Sequence, residues 1–157
     1  MTDRKCRADA VVQDVAKFSA EIRFYSFRIP VMRVESNLQD LPYISEACVF
    51  AAPDPDATEL CAAVARLREN NPQAQQNILS RIRADLSKVL PSYMLPIVIR
   101  ILKDGEEVPK TQSGKTVRRF VWKTFFENAD WRSVENPPPG FQYYGNMPRG
   151  IAAKNGP

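Results

Sequence analysis

The spacing of apolar residues changes several times along the chain, and each change predicts an element. IRFYSFRI, from Ile22 to Ile29, is rich in β-branched and aromatic residues and predicts a strand or a bent hairpin. Pro30 suits the first turn of a helix, and Val31, Val34, Leu38 and Leu41 then recur at helical spacing. EACVFAA (46–52) and ELCAAVARL (59–67) are unbroken apolar runs on either side of the turn-rich PDPDAT, so they predict adjacent strands. In NNPQAQQNILSRIRADLSKVL, Asn71 can cap, Pro72 takes the first helical position, and Ile78, Ile82, Leu86 and Val89 form one face. Pro91 ends that helix, IVIRIL (97–102) predicts a strand, and Thr116 to about Asn128 predicts a last helix. Its inner side would carry Val117, Phe120, Val121 and Phe125, with Arg119 and Lys123 opposite.

The irregular alternation of strands and helices predicts an α+β fold, a small, mostly antiparallel sheet flanked by helices. Residues 1–20 are polar and poorly defined, 21–128 carry the periodic elements, and 129–157 are rich in proline and glycine. That last segment is expected to be an extended tail pinned by Trp131, Phe141, Tyr143 and Tyr144, not a second domain.

Composition narrows the chemistry mainly by what is missing. With 157 residues, 44% of them hydrophobic, the chain can bury a core unaided. It has no histidine, which removes histidine-based triads and imidazole metal ligands. Cys6, Cys48 and Cys61 form no C-x-x-C pair, so neither a disulfide framework nor a metal site is expected, and the cytoplasm is the expected compartment. No apolar run is long enough to span a bilayer. The net charge is +4, yet no aromatic-basic RNA motif or zinc-finger spacing occurs, so nucleic acid is not the expected partner.

Chemistry concentrates in VPKTQSGKTVRR, residues 108–119. Its Gly-Lys-Thr ends like a phosphate-binding P-loop, but the position of the first P-loop glycine holds Pro109, which offers neither the positive φ nor the N–H that a phosphate cradle needs. Lys110, Lys115, Arg118, Arg119 and Lys123 are five basic residues with no acid among them. They fit a solvated basic face, or a turn at Ser113-Gly114 that holds Lys115 beside a helix N-terminus favourable to anions.

LPSYMLPIVIRILKDGEEVPKTQSGKTVRR resembles the closing motif of the adenylate-forming superfamily, which includes acyl-CoA synthetases, aryl-CoA ligases and peptide-synthetase adenylation domains. Pro91, Tyr93, Pro96, Pro109, Thr111, Gly114, Lys115 and Arg118 fall in register with it. Upstream, Glu35, Leu38, Pro42, Glu46, Ala47, Pro53 and Asp54 are similar to the family's glutamate-bearing helix, following strand and Pro-Asp turn. The likeness covers roughly Lys17 to Phe126, and the proline-rich tail resembles extensions of fungal ligases of secondary metabolism.

This resemblance is to the family's small C-terminal domain; no S-G-[ST]-T-G-x-P-K segment of the large ATP- and acyl-binding domain occurs. It implies a partner N-terminal AMP-binding domain in cis or trans, a carboxylic acid substrate, ATP with Mg, and CoA, with none of these bound by the small domain alone. It implies that Lys115 is the adenylation lysine, supported by Thr111, Ser113 and Gly114. For thioester formation it implies a hinge and CoA region at Lys17, Ser19, Arg23, Ser26 and Arg28. There the chain departs from the family: Ser19 stands at the charged pivot and Ser26 at a loop glycine. A non-catalytic relic that docks onto a partner protein is the alternative.

Overall fold

The computed structural model describes residues 21–133 and 135–146. The predicted bent hairpin is β1 (Glu21–Phe24) and β2 (Phe27–Pro30), antiparallel, with Tyr25 and Ser26 as its loop. Helix α1 (Val31–Gln39) follows Pro30 directly and buries Val31, Val34 and Leu38. β3 (Ile44–Asp54) and β4 (Thr58–Leu67) pair antiparallel along their whole lengths. Their turn is tied by Asp54, whose Oδ2 accepts the N–H groups of Asp56 and Ala57.

β4 is the middle of the sheet. β3 lies along one edge; on the other, β1 pairs at Thr58 and β5 (Val98–Ile101) runs parallel alongside residues 62–65. β6 (Phe141–Tyr143) closes the far edge of β5 antiparallel. One pairing is parallel and the rest antiparallel, so the fold is α+β as the sequence predicts.

The unbroken apolar runs in β3 and β4 follow from a sheet covered on both faces. Val49, Ala51, Cys61, Ala63, Ile99 and Ile101 pack with α1 and the helix at 78–86. Their neighbours Cys48, Phe50, Ala62, Val64 and Val98 pack on the other face with Phe126, Trp131 and Phe141. The alternation expected of strands is therefore present as a choice between two cores.

Two predicted helices differ. Residues 71–90 are not one helix but α2 (Pro72–Gln75) and α3 (Ile78–Leu86), separated by Asn77 at φ 54°. Asn71 does cap α2, accepting from Ala74 N–H at 2.7 Å, but α3 begins without a side-chain cap of its own. Gln142 of β6 fills that role: its Oε1 accepts from Leu79 N–H at 2.8 Å and its Nε2 donates to the Gln75 carbonyl. α3 ends before Val89, which is 58% exposed and not on the buried face.

The last helix starts at Arg118, not Thr116, because Thr116 is bridged to Lys110. It has one α-helical segment, α4 (Arg118–Val121), and widens into a π-helix, Trp122–Phe126. The wider turn brings both Phe125 and Phe126 inward, while Phe120 is left 47% exposed. Beyond it, Trp131 and Phe141 are buried, so this part of the segment expected to be a tail contributes a strand and part of one core.

Candidate functional site

Residues 109–117 form a small hairpin. Lys110 and Thr116 bridge across it, and Val117 N–H donates to the Pro109 carbonyl at 3.0 Å. At the tip, Gly114 N–H donates to the Thr111 carbonyl at 2.9 Å and Thr111 N–H to the Lys115 carbonyl at 2.8 Å. This is a three-residue hairpin loop, which needs a left-handed residue in its last position. Gly114 supplies it at φ 87°, and a Cβ there would meet nothing within 4 Å, so the glycine is required for its backbone angle and not for space.

Thr111 holds the tip together. Its hydroxyl accepts Lys115 N–H at 3.1 Å and lies 2.9 Å from the Ser113 hydroxyl. Thr111, Ser113 and Gly114 thus form one hydrogen-bonded turn against the Lys115 backbone. The Lys115 side chain is exposed, and among the described residues no carboxylate forms an ion pair with it. Its position is a hairpin shoulder, not the rim of a helix, since α4 starts three residues later and has only four residues.

The five basic residues do not form one uniform face. Lys110 Nζ lies 3.1 Å from Glu46 Oε1, whose other oxygen lies 3.3 Å from Arg66 Nε. Arg118 turns inward: Nη2 lies 2.7 Å from Glu35 Oε2, and Nε donates to the Val49 carbonyl at 2.9 Å. Glu35 Oε1 accepts Val49 N–H at 3.0 Å, so one peptide of β3 is gripped through both its polar groups. Sequence reasoning placed Glu35, Glu46 and Arg118 in family motifs without pairing them; opposite charges at motif positions are the only signal in the sequence, and no spacing rule joins residues so far apart.

A cleft of about 630 Å³ lies beside the hairpin root, lined by Glu46, Arg66, Glu106, Glu107 and Lys110 among others. Arg66 donates to the Glu106 carbonyl, and Arg100 forks onto the Glu106 carboxylate at 2.6 and 2.9 Å. The Arg100 guanidinium holds the Glu106 carboxyl below the usual carboxylate range. The charges lining the cleft are thus largely spent on one another.

The implied CoA and hinge residues lie elsewhere. Arg23, Ser26 and Arg28 are exposed on the β1–β2 hairpin, while Lys17 and Ser19 fall outside the described residues. Tyr25 N–H donates to the Ala57 carbonyl, next to Thr58 at one end of β4, whereas Lys110 is tied to Glu46, opposite Arg66 at the other end. Eight residues of strand separate those anchors, roughly 26 Å. The structure does not bring the two predicted groups together.

Cys48 and Cys61 are buried free thiols, each pushed up to about 12 chiefly by desolvation, so neither is a nucleophile near neutral pH. No group of three potential metal-ligating side chains occurs among the described residues, and no helix there is long and apolar enough to cross a membrane.

Residues 33–115 match the model of the AMP-binding enzyme C-terminal domain, more than half of the chain. The chain belongs to that family. The acyl-CoA ligase oryP of Aspergillus oryzae is 39% identical over 104 residues, 66% of this chain and 18% of its own. Acetyl-coenzyme A synthetase of Bacillus subtilis is 31% identical over 127 residues, 80% of this chain and 20% of its own. The crystal structure of Brucella canis acyl-CoA synthetase is 29% identical with a TM-score of 0.59, covering 70% of this chain and 20% of that one. The chain spans about a fifth of the length of each of these relatives.

Proposed function

We propose that this chain is the small domain of an ATP-dependent acyl- or aryl-CoA ligase and that it delivers Lys115 to an adenylation site built by a separate, larger domain. The observation that carries this is an exposed ammonium without an ion-pair partner among the described residues, on the shoulder of a hairpin whose two roots are fixed by ion pairs. In carboxylate adenylation the acid's oxygen bonds to the α-phosphorus of ATP and pyrophosphate leaves. Negative charge gathers on the α-phosphate oxygens in between, and a compact ammonium held in a water-poor cleft stabilises it. No glycine-rich phosphate cradle occurs in the sequence, so ATP, Mg and the acid belong to the larger domain. The isolated chain is inactive on this reading, because one lysine supplies no binding or orientation of the reactants. Thioester formation with CoA would use the β1–β2 hairpin at the other end of the sheet.

The test is a fusion of this chain, whole, behind the part of Bacillus subtilis acetyl-coenzyme A synthetase that precedes the matched segment. Acetate-dependent pyrophosphate release from ATP is expected, and Lys115→Ala should lower it by about 10²–10³-fold. The melting temperature should not change, because the side chain is exposed. Equal release by the Ala variant would mean that Lys115 is not the adenylating residue.

A further inference from the structure

Among the described residues, β3 is an edge strand that pairs with β4 on one side only. At Val49 both backbone polar groups face away from β4, and both are taken. The N–H goes to Glu35 Oε1 at 3.0 Å and the carbonyl to Arg118 Nε at 2.9 Å. The two side chains then close on each other at 2.7 Å, with 7% and 12% of their surfaces exposed. Four partners from α1, β3 and α4 thus form a closed ring, and Arg118 is three residues beyond Lys115.

We infer that Glu35 and Arg118 are positioning residues that set where Lys115 stands relative to the sheet; this rests on the adenylating role proposed for Lys115. The hairpin has two roots of different character. Lys110 on the incoming side holds Glu46 through a half-exposed pair, which solvent weakens. Arg118 on the outgoing side is fixed by a planar fork with bonds at 2.7 and 2.9 Å to two different elements, a geometry that lysine cannot reproduce. A bolt so close to the reactive ammonium transmits its position through three residues of backbone, whereas the exposed pair tolerates movement. Misplacing a charge-stabilising group by about 1 Å can cost on the order of 10²-fold in rate.

The experiment is a double-mutant cycle in the fusion described above, measuring kcat and KM for acetate-dependent pyrophosphate release. Arg118→Lys keeps a cation for Glu35 but gives up the bond to the Val49 carbonyl; Glu35→Gln keeps an acceptor for Val49 N–H but gives up the charge. Each should lower kcat by about 10- to 100-fold with KM for ATP and acetate unchanged. In a Lys115→Ala background each should cost less than about 2-fold, because the group being positioned is gone. Thermal unfolding of the same fusions, followed by circular dichroism, verifies that each variant is folded at the assay temperature. A loss of equal size in both backgrounds overturns the inference and leaves the ring a purely structural one. Full activity of both single variants overturns it as well. Lys115→Ala with undiminished activity is a separate outcome: it removes the adenylating role itself and the positioning role with it.

Discussion

The sheet carries a hairpin at each end of the β3–β4 ladder, and the two are held in opposite ways. The Lys115 hairpin is fastened by charged side chains, Lys110 to Glu46 and Arg118 to Glu35, and its tip carries one cation with no ion-pair partner among the described residues. The Tyr25–Ser26 hairpin is fastened by its backbone: Tyr25 N–H donates to the Ala57 carbonyl at 2.9 Å and Arg23 N–H to Glu59 Oε1 at 2.8 Å. Ile22 and Ile29 of its strands are buried, while its loop end is exposed, with Tyr25 62% exposed and Phe27 stacked on Tyr93 at 4.3 Å. Fixed roots with an exposed ammonium at the tip are what the proposed role of Lys115 requires. A backbone-fastened loop with aromatic rings outside presents surface instead.

The ion pairs at the two ends differ most in what their loss should do. Arg118→Met leaves the Glu35 carboxylate buried without its cation, and breaking such a pair from one side costs about 3–5 kcal/mol. Arg28 approaches Glu21 only to 3.9 Å with both side chains largely exposed, so Arg28→Met should change stability by less than about 0.5 kcal/mol. Urea unfolding of the full chain measures both. Similar losses for the two variants would erase the distinction between a core bolt and a surface pair.

Between these extremes stands Glu106, at the root of the Lys115 hairpin. Its carboxyl titrates below the usual range because Arg100 forks onto it, with burial opposing and the Lys103 N–H adding to the effect. A depressed carboxyl stabilises the fold fully above its unfolded value of about 4.5, and that contribution fades as pH falls through the lower folded value. Glu106→Gln should therefore cost about 1–3 kcal/mol at pH 7, and the difference from the parent should vanish in acid. Denaturant unfolding at pH 7 and along the acid limb checks it. A difference that persists unchanged at the lowest pH would assign the loss to packing, not to the ion pair.

Strands and the hairpin were legible in the sequence because local pattern governs them: IRFYSFRI bends at Tyr25-Ser26, and the runs at 46–52 and 59–67 lie within β3 and β4. The tight turn at Ser113-Gly114 was legible too, because its hydrogen bonds join residues within 111–115. What depends on distant partners was not. The break at Asn77 is bridged by Gln142, 63 residues beyond Leu79, and no helical period reveals a cap that arrives from a strand. Arg118 looked like one of five surface cations, but Glu35, 83 residues upstream, draws it inward. The π-helix was hidden for a related reason: Phe125 and Phe126 both enter the core beside Trp131 and Phe141, and tertiary packing overrides the 3.6-residue period.

The loop tips offer the finest comparison, since each places one residue in the left-handed region. Gly114 sits there at φ 87° without strain, while Tyr25 sits there at φ 53° with a bulky side chain that makes this conformation unfavourable. Glycine-to-alanine at 114 meets no neighbouring atom, so its cost is conformational alone, about 1 kcal/mol. Tyr25→Gly removes the same kind of strain but also an edge-to-face contact with Phe24 at 4.8 Å and gives the unfolded chain more freedom. The net gain should be small, between about 0 and 0.5 kcal/mol. Unfolding of the two single variants under one set of conditions should thus give changes of opposite sign. If Tyr25→Gly instead destabilises the chain by as much as Gly114→Ala, the tyrosine ring is a structural part of its hairpin, and the aromatic end is anchored by its side chains after all.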